Sequence, residues 1–125
     1  MRRVLCVLVA GLVAAPFSAA AQTRNDAMNR LASERGCALC HSDRGSRARG
    51  EGVLPPGPSW QEVARRYKDR PGAEGILVEV VLHGSGPGPK GRHWAGKTSS
   101  VEMPANTVEI TEAEARDLVR WVLRR

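Results

Sequence analysis

The chain has 125 residues, with 19 Lys and Arg against 13 Asp and Glu, a formal net charge of +6 and only 4% aromatic residues. This length accommodates one small domain at most, which excludes a multidomain architecture. Such a domain buries only about 60 to 70% of the surface that its unfolded chain exposes. Beyond residue 21 the aromatic residues are Trp60, Tyr67, Trp94 and Trp121 alone. We therefore expect something besides side chains to fill the core.

Residues 1–21 have the pattern of a cleaved secretory signal peptide. The basic start Met1–Arg3 precedes the uncharged apolar run Val4–Phe17, and the small residues Ser18–Ala21 offer a cleavage site. The apolar run is shorter than the ~20 residues that cross a bilayer, so we expect cleavage rather than anchoring. The sequence thus predicts export of residues 22–125 as one domain that has no membrane span.

The first predicted helix is Asn25–Arg35, which begins at Asn25 or Asp26 and ends at Gly36. One face of this helix carries apolar residues at helical spacing: Met28, Leu31 and Ala32. Residues 43–58, rich in Gly, Arg, Ser and Pro, predict a surface loop.

Two helices are predicted after this loop. Ser59 and Glu62 form a capping box that begins a helix ending before Pro71. Ala73–His83 has an apolar stripe and is followed by Gly84, which predicts a left-handed helix stop. Its β-branched content leaves a strand as the alternative.

The remaining segments are a long loop and a closing helix. Gly84–Val101 lacks periodicity and carries Trp94, and long loops of this kind usually have a function. Thr111 and Glu114 form a second capping box. The helix behind it has an apolar face made of Ala115, Leu118, Val119 and Val122. Without repeats or a convincing strand pair, the predicted class is all-α with long loops.

The segment Cys37–His41 has the pattern Cys-x-x-Cys-His, the attachment sequence of c-type haem. Residues three apart share a face of a helical turn, so both thiols can add to the two vinyl groups of one porphyrin while His41 lies under the iron. Such haem is attached outside the cytoplasm, which agrees with the predicted export. We therefore expect one covalent haem on Cys37 and Cys40, with His41 as an axial ligand.

A disulfide, a redox pair and a zinc site are weaker candidates for this motif. A disulfide across two residues closes a very small loop, and a redox Cys-x-x-Cys normally occurs in a βαβ pattern that is missing here. A zinc site needs four ligands, and the sequence has no second paired motif.

The second axial ligand must come from elsewhere in the chain. The candidates are Met28, His83, His93 and Met103. Met103 is favoured because Pro104 stiffens the loop behind it and because this aperiodic segment can wrap the other haem face. Met28 fits the apolar face of its helix, His83 suits a capping or surface role, and His93 a propionate contact.

A His/Met ligand pair has two chemical consequences. The soft thioether favours Fe(II) over Fe(III), which raises the reduction potential relative to two imidazoles. Both axial positions are closed, so an external ligand has to displace Met103 before it can bind. The expected function is outer-sphere electron transfer through the exposed haem edge, not catalysis.

Several motifs beyond the haem segment point to one family: Gly36 before the first cysteine, Gly57-Pro58 before a helix, Met103-Pro104-x-Asn106, and Leu118-Val119-x-Trp121-Val122. With them, most of residues 22–125 resembles the short single-haem class I cytochromes c of bacterial respiratory chains. The resemblance implies a small all-α fold of about four helices, with long loops wrapped around the haem.

The resemblance also implies three supporting contacts. The Pro58 carbonyl would accept a hydrogen bond from the His41 ring, which fixes the tautomer of the ligand. Asn106 would steady the Met103 sulfur, and Trp94 would donate its indole N–H to a haem propionate.

Two basic clusters suggest how partners bind: Arg44, Arg47 and Arg49 after the haem motif, and Arg65, Arg66, Lys68 and Arg70 at the end of the second helix. If they border the haem edge, they favour acidic redox partners; otherwise they serve solubility. Nucleic acid is not an expected partner of an exported protein with few aromatics.

Three functions remain open from the sequence. The first is a periplasmic electron carrier, and the second is the dedicated cytochrome subunit of a periplasmic dehydrogenase. The third is a ligand-binding haem protein in which Met103 leaves the distal site open.

Overall fold

The computed structural model describes residues 17–43, 52–86, 94–99, 102–106 and 110–125. These ranges contain four α-helices: α1 (Phe17–Glu34), α2 (Trp60–Tyr67), α3 (Ala73–His83) and α4 (Glu112–Val122). A 3-10 turn, Cys37–Leu39, follows α1. Extended pairing in the described part of the chain is limited to one bridge between Ala95 and Thr98. The all-α prediction is confirmed.

Several predictions fall on residues outside the described ranges. They concern residues 1–16 of the signal peptide, the alternative ligand His93 and the first basic cluster, Arg44, Arg47 and Arg49.

Helix α1 begins earlier than the sequence predicted. Neither Asn25 nor Asp26 caps it, because the helix already runs from Phe17 through alanine-rich residues of high helix propensity. The Asn25 side-chain oxygen instead accepts a hydrogen bond from the Trp121 indole at 2.9 Å. The predicted end is right, since Gly36 turns the chain with φ 72° and ψ 0°.

Both predicted capping boxes are present, at the starts of α2 and α4. The Ser59 side chain accepts from the Glu62 backbone N–H, and the Glu62 carboxylate accepts from the Ser59 N–H at 2.8 Å. Thr111 and Glu114 repeat this arrangement, and the Thr111 N–H donates to the Glu114 carboxylate at 2.9 Å. Each box satisfies amides of a first turn that has no intrahelical acceptor.

Helix α3 forms as predicted, and the alternative of a strand is wrong. The helix ends at Gly84 as predicted, with a positive φ of 78°, but the ψ of 171° differs from that of a left-handed cap. The Gly84 backbone runs against the segment 103–105, where an added Cβ would lie 2.7 Å from the Ala105 nitrogen and 2.8 Å from the Met103 oxygen. Close packing of two loops, rather than helix termination alone, determines this conformation.

Helix α4 is the centre of the packing, because it contacts α1, α2 and α3. Its buried residues are Ala115, Leu118, Val119, Trp121 and Val122. Met28 of α1 is partly buried against this core. His83 lies on the surface, where its Nδ1 is 3.2 Å from a carboxylate oxygen of Glu79.

Ion pairs join the helix termini around this core. Arg35, just after α1, forms an ion pair of 2.7 Å with the Glu114 carboxylate. The Glu74 carboxylate of α3 forms ion pairs with Arg116 and Arg120 of α4. The Arg35 hydrogen bond is the main reason that the pKa of Glu114 lies below its usual range. None of the helices described here is both long and apolar enough to cross a membrane.

Glu114→Gln tests the contribution of this ion pair. We expect a lower melting temperature at pH 7, because glutamine keeps a capping oxygen but loses the charge that faces Arg35. The folded-state pKa of Glu114 is depressed, so its contribution is present above the usual carboxyl pKa of about 4.3 and is lost as the pH falls through the folded-state value. The melting curves of wild type and variant should therefore converge in acid.

Glu112→Gln is the matched control. Glu112 lies in the same first turn of α4, and within the described residues its carboxylate forms an ion pair only with Arg116 of the same helix. The expectation is contradicted if both variants lower the melting temperature equally at pH 7.

Candidate functional site

A cavity of about 410 Å³ lies between the helices, and its wall is mostly apolar. Side chains from α2, α3, α4 and the connecting loops line it. The wall includes all seven site residues predicted from the sequence: Cys37, Cys40, His41, Pro58, Trp94, Met103 and Asn106. Segments that lie far apart in the chain thus meet at one site.

The turn after α1 places both cysteines and His41 on the same side of the cavity. The backbone N–H groups of Cys40 and His41 both donate to the Cys37 carbonyl, at 3.2 and 2.9 Å. Both thiols are free, that of Cys37 half-buried and that of Cys40 exposed. Burial raises the pKa of the Cys37 thiol.

His41 is buried, and its ring is held by the loop before α2. Its Nδ1 lies 2.7 Å from the Pro58 carbonyl oxygen, so Nδ1–H is the donor and Nε2 keeps its lone pair. Burial lowers the pKa of His41, although the Pro58 carbonyl acts in the opposite direction. The imidazole is therefore neutral near pH 7, which is the form that binds a metal.

A series of ring contacts leads from His41 to the end of the chain. The His41 and Trp60 rings are nearly parallel, with centroids 4.6 Å apart, and the Trp60 and Trp121 rings make an edge contact with centroids 5.7 Å apart. The Arg125 guanidinium lies 4.1 Å above the Trp121 ring and also pairs with Asp43. The contact with His41 was not predicted, because the sequence pattern places both tryptophans only on apolar helix faces.

Met103 contributes to the cavity wall from a separate loop. Ser85 binds its backbone twice: the Ser85 N–H donates to the Met103 carbonyl at 2.9 Å, and the Met103 N–H donates to Ser85 Oγ at 2.8 Å. Ser85 was not predicted as a site residue either. Its only signal in the sequence is its position directly after Gly84, at the start of a long loop.

The residues of this cavity fit a covalently attached haem. Two thiols and a neutral imidazole lie on one turn, and a thioether lines the same cavity from another loop. Imidazole nitrogen and thioether sulfur are ligands of haem iron in proteins. Within the described residues, this turn included, no group of three or more His, Cys, Asp or Glu side chains is arranged to hold a bare metal ion.

Gly57→Ala tests how closely the loop before α2 packs on the ligand. An added Cβ would lie 3.1 Å from the Cys40 carbonyl oxygen and 3.2 Å from the His41 ring. We expect the variant to lose about 1 to 3 kcal/mol of unfolding free energy through overpacking, measured by denaturant titration of the holoprotein.

Gly75→Ala is the control, because nothing lies within 4 Å of an added Cβ at that position in α3. It should raise the unfolding free energy by about 0.5 to 1 kcal/mol, as alanine is the better helix former. Equal effects of the two substitutions would contradict the close packing of Gly57 on His41.

No protein-family model matches the chain, but individual proteins do. It is 38% identical over 94 residues to cytochrome c2 of Rhodocyclus tenuis, covering 74% of this chain and 86% of that protein. It is 32% identical over 95 residues to cytochrome c2 of Rubrivivax gelatinosus, covering 75% of this chain and 92% of that protein. Cytochrome c-552 of Hydrogenobacter thermophilus is 29% identical over 123 residues, 98% of this chain and 97% of that protein.

The fold is similar to a solved structure as well. The crystal structure of wild-type Nitrosomonas europaea cytochrome c552 superposes with a TM-score of 0.56 at 25% sequence identity, covering 77% of this chain and 96% of that one. Because of its sequence identity to the cytochromes c2 and its common fold with cytochrome c552, the chain belongs to the small class I cytochromes c. These proteins are electron carriers with one covalently bound c-type haem.

Proposed function

We propose that this protein is an exported, periplasmic electron carrier with His/Met-ligated haem. Cys37 and Cys40 would hold the haem covalently, and His41 and Met103 would ligate its iron. One observation carries the proposal: these four side chains line the same apolar cavity although Met103 lies far along the chain from the other three.

The residues around the cavity would each contribute to one-electron transfer, and the haem itself supplies the Fe(III)/Fe(II) couple when bound. The Pro58 carbonyl keeps the His41 proton on Nδ1, so Nε2 would be the atom that ligates the iron. The Met103 thioether would favour Fe(II), and the apolar wall would limit the access of water to the bound haem. Trp94 is the candidate donor to a propionate, and Asn106 the candidate support of the Met103 sulfur.

Export rests on the signal pattern of residues 1–21, and residues 22–125 would form the mature protein. The haem motif agrees with export, because c-type haem is attached outside the cytoplasm. Protein purified from the periplasm of a host that matures c-type cytochromes should begin at Gln22. A start at Met1, or recovery from the membrane fraction, would contradict export with cleavage.

The visible spectrum of this exported protein tests the ligation. We expect covalently held, low-spin haem in both oxidation states and, in the ferric state, the weak far-red band of sulfur-to-iron charge transfer. Low-spin haem without that band would assign the distal position to a histidine. A high-spin spectrum would favour the ligand-binding alternative, and absence of haem would overturn the proposal.

Met103→Ala should leave the haem attached through Cys37 and Cys40 but remove the far-red band. We also expect a lower reduction potential and ready binding of carbon monoxide to the reduced protein, because one axial position is open. Spectroscopy, potentiometry and ligand titration measure the three effects.

Met28→Ala is the matched control, as it removes a partly buried thioether that packs in the core instead of lining the cavity. It should lower stability but keep the band and the potential. Retention of the far-red band in Met103→Ala would remove Met103 from the iron.

The second basic cluster supports association with acidic redox partners. Arg65, Arg66, Lys68 and Arg70 are all exposed at the end of α2. Tyr67, which lies among them in the chain, is 4% exposed and lines the cavity. The Arg70 guanidinium lies 5.5 Å from the centroid of the Tyr67 ring, so this end of the cluster adjoins a residue of the cavity wall. Positive charge beside the site would attract anionic partners at low ionic strength.

Lys68→Glu should slow oxidation of the ferrous protein by an anionic complex such as hexacyanoferrate(III) severalfold at low salt. The difference should vanish at high ionic strength, where exposed charges are screened. Arg30→Glu makes the same charge change on the exposed surface of α1, away from the cavity wall, and should act more weakly. Equal rates for the two variants would leave the cluster a role in solubility only.

A further inference from the structure

Ser85 and Met103 are joined by a reciprocal pair of hydrogen bonds. The Ser85 backbone N–H donates to the Met103 carbonyl at 2.9 Å, and the Met103 backbone N–H donates to the Ser85 hydroxyl oxygen at 2.8 Å. Both polar groups of the Met103 backbone are thus bound by one residue of another segment. The two bonds hold the two peptide groups on either side of the Met103 Cα, so they fix the backbone from which the thioether extends.

Gly84 allows the two segments to approach this closely. A Cβ at this position would lie 2.7 Å from the Ala105 nitrogen, 2.8 Å from the Met103 oxygen and 3.0 Å from the Pro104 carbonyl carbon. Its φ of 78° is also one that residues with a side chain rarely adopt. The end of α3 is therefore shaped to receive the backbone of the segment 103–105.

The segment that carries Met103 is not part of a helix and depends on such contacts for its position. The described residues 102–106 have no regular secondary structure, and Pro104 lacks a backbone N–H that could add a hydrogen bond. Ser85, in contrast, lies just after α3, whose Leu77 and Val78 are buried in the core. The two hydrogen bonds thus connect a ligand on a loop to a packed helix.

We propose that Ser85 is a positioning residue that holds the Met103 backbone so that its thioether stays at the iron. This inference rests on the proposed axial ligation by Met103. In the wild-type protein the Ser85 hydroxyl stabilises the methionine-bound state over states in which the loop has moved away. Without the hydroxyl, the Met103 N–H loses its acceptor and external ligands compete more easily for the ferric iron.

The experiment is an imidazole titration of the ferric holoprotein, monitored by the far-red sulfur-to-iron band, in wild type and Ser85→Ala. We expect imidazole to displace the sulfur at about tenfold lower concentration in Ser85→Ala, the scale set by one partly buried hydrogen bond. Ser85→Thr retains a hydroxyl and should restore most of the wild-type resistance to displacement.

Ser99→Ala is the matched control. The Ser99 hydroxyl donates to the Pro55 carbonyl at 3.3 Å in another loop pair, and neither residue lines the cavity. This variant should titrate like wild type. If it shifts the titration as much as Ser85→Ala, the effect of a lost loop hydrogen bond is general and the proposal is wrong.

Thermal melting separates positioning from stability. In Ser85→Ala the far-red band should disappear at a distinctly lower temperature than the one at which the far-UV circular dichroism shows loss of helix. The difference between these two temperatures should be larger than in wild type. A parallel decrease of both transitions would assign Ser85 a structural role only.

The outcomes also distinguish this inference from the proposed function. A wild-type band with an unchanged titration in Ser85→Ala would overturn the role of Ser85 and leave the Met103 ligation intact. A wild-type protein without the band would overturn both, because Met103 would then be no ligand for Ser85 to position.

Discussion

The fold depends on a cavity that the side chains of the described residues do not fill. Among those residues, no large side chain is less than 2% exposed, and much of the buried core is Ala and Val. The wall of the 410 Å³ cavity is mostly apolar, so its contact with water is unfavourable. A haem in this cavity would cover that apolar wall and complete the core.

Two residues of the cavity wall, His41 and Met103, are held by different numbers of contacts. His41 is hydrogen-bonded to Pro58, stacked on Trp60 and part of the turn that carries both cysteines. Met103 lies on a loop whose backbone is hydrogen-bonded to Ser85. A disturbance that loosens the molecule should therefore displace Met103 before His41.

Local sequence patterns predicted much of this arrangement. The Cys-x-x-Cys-His turn and both capping boxes depend on residues within five positions of each other, so no tertiary information was needed. The contacts that the sequence did not reveal join distant segments: Trp60 with His41, and Ser85 with Met103. The unpredicted ψ angle of Gly84 has the same cause, since its backbone packs against a loop some twenty residues farther along the chain.

The placement of the tryptophans determines what a fluorimeter would record. Of the three tryptophans in the chain, Trp60 and Trp94 line the cavity and Trp121 contacts Trp60. A haem in this cavity would absorb the excitation energy of all of them, because every indole lies at the cavity or one ring away from it. Folded holoprotein would be almost dark under ultraviolet excitation, and emission would appear only as the chain opens. The native tryptophans thus report haem proximity without any added label.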